Sequence, residues 1–163
     1  MTGSSPTYCS NVRSFSSRVQ CVVNLCGPED FTQALMFDKE GKPIWKDDAV
    51  SGLLGGNAQE KPAEAKAASP VTHVSKDDPP FITFHGTKDQ RVAFLHALMI
   101  HEALGKAGVT SAVIPITDGG HSSVNHPEVK IRGQQFTEKV LRGIESTIDT
   151  SPLRALPEPA KTK

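Results

Sequence analysis

Phe81-Ile82-Thr83-Phe84-His85-Gly86-Thr87-Lys88-Asp89 is the stretch that decides the fold. Its first four residues are β-branched or aromatic, and Asp77-Asp78-Pro79-Pro80 turns sharply into them. A run this short and this apolar reads as a buried strand. Two other runs have the same form. Val19 to Cys26 stops at the breaker pair Gly27-Pro28, and Ser111 to Ile116 runs on into Asp118-Gly119-Gly120-His121. Helical patterns lie between and after them. Phe94, Leu95, Leu98 and Met99 recur at three- and four-residue spacing, with Gly108 where a C-terminal cap would stand. Phe136, Val140, Leu141, Ile144 and Ile148 mark a last amphipathic helix. Strands alternating with helices imply parallel strands joined by right-handed crossovers. The expected architecture is α/β, with about three parallel strands and flanking helices.

The connections read less sharply. Glu29 to Phe37 suits a short helix, and Asp38 to Pro43 a polar turn. Residues 44–60, which hold the only tryptophan, Trp45, form a connection. Pro62 to Ala68 favours a helix with proline in its first turn, ended by Ser69-Pro70. Pro115 has no ladder donor, so its strand is expected to be an edge or irregular one. Three regions follow: a disordered or out-of-context leader (1–17), a partial α/β domain (18–148) and a disordered tail rich in Pro, Ala and Lys (149–163).

Composition narrows the function. A chain of 163 residues fits one domain, and 37% hydrophobic with 22% charged residues is not a disordered composition. Eighteen basic and 18 acidic residues cancel, so bulk charge draws the chain to neither nucleic acid nor an anionic membrane. No apolar stretch approaches the roughly 20 residues of a membrane span. The leader has no apolar core of a secretory signal, which leaves the compartment open and the cytoplasm as default. The three cysteines cannot all pair internally. Cys21 and Cys26 would point to opposite faces of a strand, so both read as small buried hydrophobes.

Asp89 and His121 are the candidate catalytic residues. Each follows a strand and lies in a loop before a helix, where open α/β sheets place their chemistry. They are 32 positions apart, room for one helix and one strand, so their loops should lie side by side. The other candidates read as structural. Asp118 suits a loop, His85 a structural hydrogen bond beneath the acid loop, and His126 an exposed loop. His96 and His101, like His121 and His126, are five apart and do not share a helix face as the four-residue histidine pairs of zinc helices do. Asp77-Asp78 belongs to a turn, so no metal site is expected. Gly52-Leu53-Leu54-Gly55-Gly56 lacks the lysine and the strand–helix setting of a phosphate loop, and no cofactor is implied.

Taken in order, several segments resemble the esterases and lipases of the α/β-hydrolase superfamily. These are Val19 to Asp30 with its closing Gly27-Pro28-Glu29-Asp30, Ala65 to Val71, Asp78-Pro79-Pro80-Phe81, His85-Gly86-x-x-Asp89 and Gly119-Gly120-His121. The nearest type is the esterase group related to prolyl oligopeptidase catalytic domains and carboxylesterases. The resemblance covers about residues 18–145 and corresponds to the C-terminal part of that fold. It implies Asp89 as the triad acid and His121 as the triad base, in the family's chain order of serine, acid, histidine. Thr87 stands where family motifs often carry Asp or Glu, and Gln90 where they often carry Pro.

The nucleophile is the gap. No Gly-x-Ser-x-Gly occurs in these residues, and no His-Gly-Gly-Gly oxyanion segment. Ser4-Ser5, Ser16-Ser17 and Ser122-Ser123 lack the strand–turn–helix setting that exposes a nucleophile. The expected function is serine hydrolysis of a carboxylic ester or peptide. The chain supplies acid and base, is inactive alone, and acts on a small-molecule ester or peptide when complemented. The strand at Val19 then has an open edge, which invites a missing N-terminal half or self-association. The alternative is a non-catalytic remnant serving as a binding or interaction module. A flavodoxin-like module would need a phosphate-binding first loop, and none is present.

Overall fold

The computed structural model describes residue 16, residues 18–45 and residues 47–157. The leader, apart from Ser16, and residues 158–163 of the tail lie outside the described residues. In chain order the elements are β1 (Val22–Leu25), β2 (Met36–Phe37), β3 (Pro43–Ile44), α1 (Asp48–Leu54), α2 (Pro62–Ala68), β4 (Phe81–Gly86), α3 (Leu95–Lys106), β5 (Ser111–Thr117), α4 (Pro127–Arg142) and β6 (Leu153–Arg154). Short 3-10 turns at Pro70–Thr72 and His121–Asn125 complete the list.

The main sheet runs β1-β4-β5-β6, all parallel. The three strands expected from the sequence are its first three. Side chains alternate across β4, as a pleated strand requires. Ile82 and Phe84 face α4 and pack with Ile114, Ile116, Val129, Phe136 and Leu153. Phe81 faces α3 and packs with Ile100, Leu104 and Val109. A third cluster, Phe31, Leu35, Leu54, Ala58 and Ala65, sits within the connection between β1 and β4.

Pro115 behaves as its missing N–H demands. The Ile116 carbonyl accepts from Thr87 N in the β4 loop, so the alternate residues, Pro115 among them, turn their backbone outward. β6 pairs only with Ile116 and Thr117, and at Pro115 the outer side of β5 has no neighbouring strand.

Four expectations are corrected. Glu29 to Phe37 is not a helix. Asp30 Oδ1 accepts from Thr32 N (2.8 Å) and Thr32 Oγ1 (2.6 Å), folding the segment into a turn. Its end then forms a β2–β3 ladder closed by Asp38, whose Oδ1 accepts from Glu40 N and Lys42 N. The α3 stripe is shifted: His96, Ala97, Ile100 and Leu104 are buried, while Leu95 and Leu98 are exposed. α4 stops at Arg142, because Gly143 takes φ 65° as a left-handed cap, so Ile144 and Ile148 lie beyond it. The tail is not featureless. Leu153 is buried in the core and Leu153–Arg154 add a fourth strand. Buried Arg132 of α4 holds this segment, donating to Asp149 O (2.9 Å), Ser151 O (2.8 Å) and Asp149 Oδ2 (2.9 Å).

Candidate active site

The loop that carries Asp89 and the loop that carries His121 meet at the carboxyl ends of β4 and β5. Thr87 N donates to Ile116 O (3.0 Å) and Lys88 N to Gly119 O (2.9 Å). Gly86 makes this approach possible: a Cβ there would lie 2.6 Å from Gly120 O and closer still to Gly119 O. Thr87 Oγ1 accepts from Asp118 N at 3.0 Å, so the threonine that departs from the family pattern also ties the two loops together. Asp118 takes φ 60° and pairs with Lys88 at the surface, 2.6 Å away. It is a loop residue, as expected.

Asp89 and His121 come together. His121 Nδ1 lies 2.8 Å from Asp89 Oδ2, with the acid side chain fully buried and the histidine side chain 37% exposed. The other carboxylate oxygen, Oδ1, accepts from Arg91 N (2.8 Å) and Val92 N (3.0 Å). Burial alone would push this carboxyl up. The hydrogen bonds from His85, Val92, Arg91 and His121 outweigh it and hold the group well below the usual carboxylate range. Asp89 is therefore an anion bonded to His121 Nδ1, which leaves Nε2 of the half-exposed ring as the proton-accepting nitrogen.

Two residues of the site were not singled out as such in the sequence. Cys26 follows β1 in a left-handed conformation (φ 52°), and its Sγ approaches Phe84 O and His121 O at 3.8 Å each. Cys26, Asp89 and His121 offer donor atoms within 4.8 Å of one another, a set that could hold a metal ion. Burial pushes the Cys26 thiol up to about 12, and the Asp89 carboxylate adds to that shift, so the sulfur is neither a ready thiolate ligand nor a nucleophile. The second is Glu29, buried in the loop after β1, with Oε1 accepting from Asn24 Nδ2 at 2.7 Å. Burial pushes its carboxyl up to about 7, with Asn24 and His85 pulling the other way.

The remaining histidines separate. His96 is fully buried, and its Nδ1 accepts from Glu29 N (3.2 Å) and Asp30 N (3.3 Å), clamping the loop after β1. Burial lowers its proton affinity, which suits an accepting ring nitrogen. His101 lies at the surface on Ser111 Oγ. His126 is a half-buried N-cap of α4, accepting from Glu128 N at 3.1 Å, rather than a free loop residue. Asp78 Oδ2 accepts from Ser75 N in the turn before β4, as the sequence suggested.

The model of the BD-FAE family matches residues 2–104, beginning within the leader. This chain belongs to the BD-FAE family. The BD-FAE domain is an α/β-hydrolase-type esterase domain, so the parallel sheet is part of an α/β-hydrolase fold. The structure is similar to a truncated form of a carbohydrate esterase from gut microbiota, 27% identical over 78% of this chain and 45% of that one, with a TM-score of 0.64. It is also similar to a bifunctional GH43-CE protein of Bacteroides eggerthii, 30% identical over 78% of this chain and 16% of that one, TM-score 0.64. An acylaminoacyl peptidase of Pyrococcus horikoshii, 17% identical over 82% of this chain and 22% of that one (TM-score 0.64), shares the fold. This chain thus spans less than half the length of each of these proteins. No curated protein matches it. Among the described residues, no helix is long and apolar enough to cross a membrane.

Proposed function

We propose that Asp89 and His121 are the acid and base of a serine-hydrolase triad acting on carboxylic esters, with the nucleophile and oxyanion donors supplied from outside these residues. The observation that carries this reading is the 2.8 Å bond from a buried, ionised carboxylate to Nδ1 of a half-exposed histidine. His121 Nε2 takes the proton of the attacking serine and returns it to the leaving alcohol. Asp89 fixes the tautomer and stabilises the imidazolium. Ester is favoured over peptide because a similar structure, 27% identical, is named as a carbohydrate esterase, whereas the similar peptidase is only 17% identical. An ester on a sugar is the substrate class proposed.

The open side of the sheet supports an outside nucleophile. Val23 and Leu25 of β1 are 37% and 48% exposed, and β4 is the only strand paired with β1 among the described residues. Between β1 and α4 runs a groove of about 550 Å³, lined by Val23, Leu25, Val124, Val129 and Gly133 among others. An apolar edge of this kind is a place for another strand and the helix that follows it.

The test is complementation. The part of the gut carbohydrate esterase that precedes the segment similar to this chain is fused to it, and acetyl-sugar and peptide anilide hydrolysis are measured. Turnover of the ester, lost in D89N and H121A, is the expected result. A fusion that folds and cleaves the ester equally well in all three forms would overturn the assignment of acid and base.

A further inference from the structure

His85 is the one part of the His-Gly-x-x-Asp stretch that the triad does not use. Its ring is fully buried at the end of β4, edge-on to Phe94 with centroids 5.7 Å apart. Nε2 lies 2.8 Å from Val92 O and 3.4 Å from Asp89 Oδ2. Val92 N in turn donates to Asp89 Oδ1, so acid, backbone and imidazole close a ring of contacts. Nδ1 is buried with no partner. An orphaned acceptor of this kind carries an uncompensated desolvation cost, which a phenylalanine at the same position would avoid. One neutral hydrogen bond to Val92 O offsets that cost only in part.

We propose that His85 is a positioning residue for hydrolysis, sharing its one Nε2 proton between Val92 O and the same carboxylate oxygen of Asp89 that orients His121. The proposal rests on Asp89 and His121 as acid and base. Oδ1 of Asp89 then meets Arg91 N and Val92 N, and Oδ2 meets His121 Nδ1 and the shared Nε2 proton of His85, with the Cys26 thiol beside the same carboxylate. A carboxylate surrounded only by donors has no site left for a proton and cannot rotate. Sharing Oδ2 between two imidazoles also spreads its charge, which limits how strongly Asp89 pulls a proton onto His121. Glu29 and His96 are the other titratable groups near His85, and neither lies within hydrogen-bonding distance of it.

The test needs no turnover. Ring-proton NMR follows the titration of His121 in the 163-residue chain as it stands and in H85F, H85Q and D89N. H85F removes the donor and keeps a ring against Phe94. H85Q returns an amide donor near Nε2. The expected result is an upward move of the His121 midpoint by about one pH unit in H85F, because a less shared carboxylate favours the imidazolium. H85Q stays close to the unsubstituted chain. A His121 midpoint unchanged in H85F but moved in D89N would overturn the role of His85 and leave the triad intact. No movement in D89N either would overturn the acid–base pair itself. Should H85F fail to fold, ¹⁵N spectra of the unsubstituted chain decide, with a neutral Nε2–H tautomer expected at His85. A proton on Nδ1 would overturn the proposal.

Discussion

Between β4 and β5 the protein is closed, while along β1 it is open, and the two regions differ in almost every physical respect. At the centre, Ile82, Phe84, Ile114 and Ile116 are buried to within 1% exposure, and the loops above them are locked backbone to backbone. At the edge, Val23 and Leu25 face solvent beside an apolar groove. Asp89 and His121, the proposed acid and base, belong to the closed region. They are therefore assembled without help from anything that β1 might pair with. On the proposed function the difference separates two jobs of a hydrolase: holding the proton-transfer groups, which we assign to Asp89 and His121, and presenting the nucleophile, which we assign to other residues.

The largest expected effect breaks the closed centre chemically. In a chain completed with a nucleophile, H121A and D89N each lower kcat by about 10³–10⁴-fold in an ester-hydrolysis assay. Losses below tenfold would mean that the paired geometry does not carry the reaction.

Next comes Glu29, at the boundary between the two regions. Its carboxyl is raised in the fold from 4.5 to about 7. A raised carboxyl favours the protonated fold, so its stabilising contribution is present in full below pH 4.5 and is lost as the pH rises to about 7. The shift corresponds to about 3 kcal/mol across that window. Denaturant unfolding should show this decline in the unsubstituted chain and a flat profile in E29Q. Parallel profiles would contradict the burial argument. Asp89 acts with the opposite sign. Its depressed carboxyl contributes stability above the ordinary Asp value of 3.8 that is lost as the pH falls below it.

A smaller loss is expected on the far side of the sheet. R132M leaves Asp149 O and Ser151 O without their donor and frees β6. The expected cost is about 2 kcal/mol, or roughly 5 °C in Tm by calorimetry. An unchanged Tm would show that β6 adds nothing to the closed region. The smallest effect is at the open edge. L25K should change stability by less than about 0.5 kcal/mol while reducing self-association in sedimentation velocity. Lost stability instead would mean that Leu25 is packed rather than open.

These contrasts also explain what the sequence made legible. The three strands were readable because each is a short apolar run with breakers at its end, and the meeting of Asp89 with His121 because each follows such a run at the same end of the sheet. The α3 face was misread because two stripes, 94/95/98/99 and 96/97/100/104, share the helical spacing. The inner one is chosen by His96, whose ring captures Glu29 N and Asp30 N from far along the chain. The turn at Asp30 and the strand β6 depend on the same kind of long-range polar contact, from Ser69 and from Arg132. Periodicity carries no trace of such contacts. Cys26 looked like a small hydrophobe, and it is buried like one. Only the meeting of three loops places its sulfur beside Asp89 and His121.

The most direct test of the central claim is ester turnover by the purified 163-residue chain beside its H121A variant, with an activated acetyl ester as substrate. The account predicts that the two are indistinguishable from each other and close to buffer, because it assigns acid and base to these residues and the nucleophile to others. Robust turnover that H121A abolishes would contradict it, and would mean that a nucleophile lies within these residues.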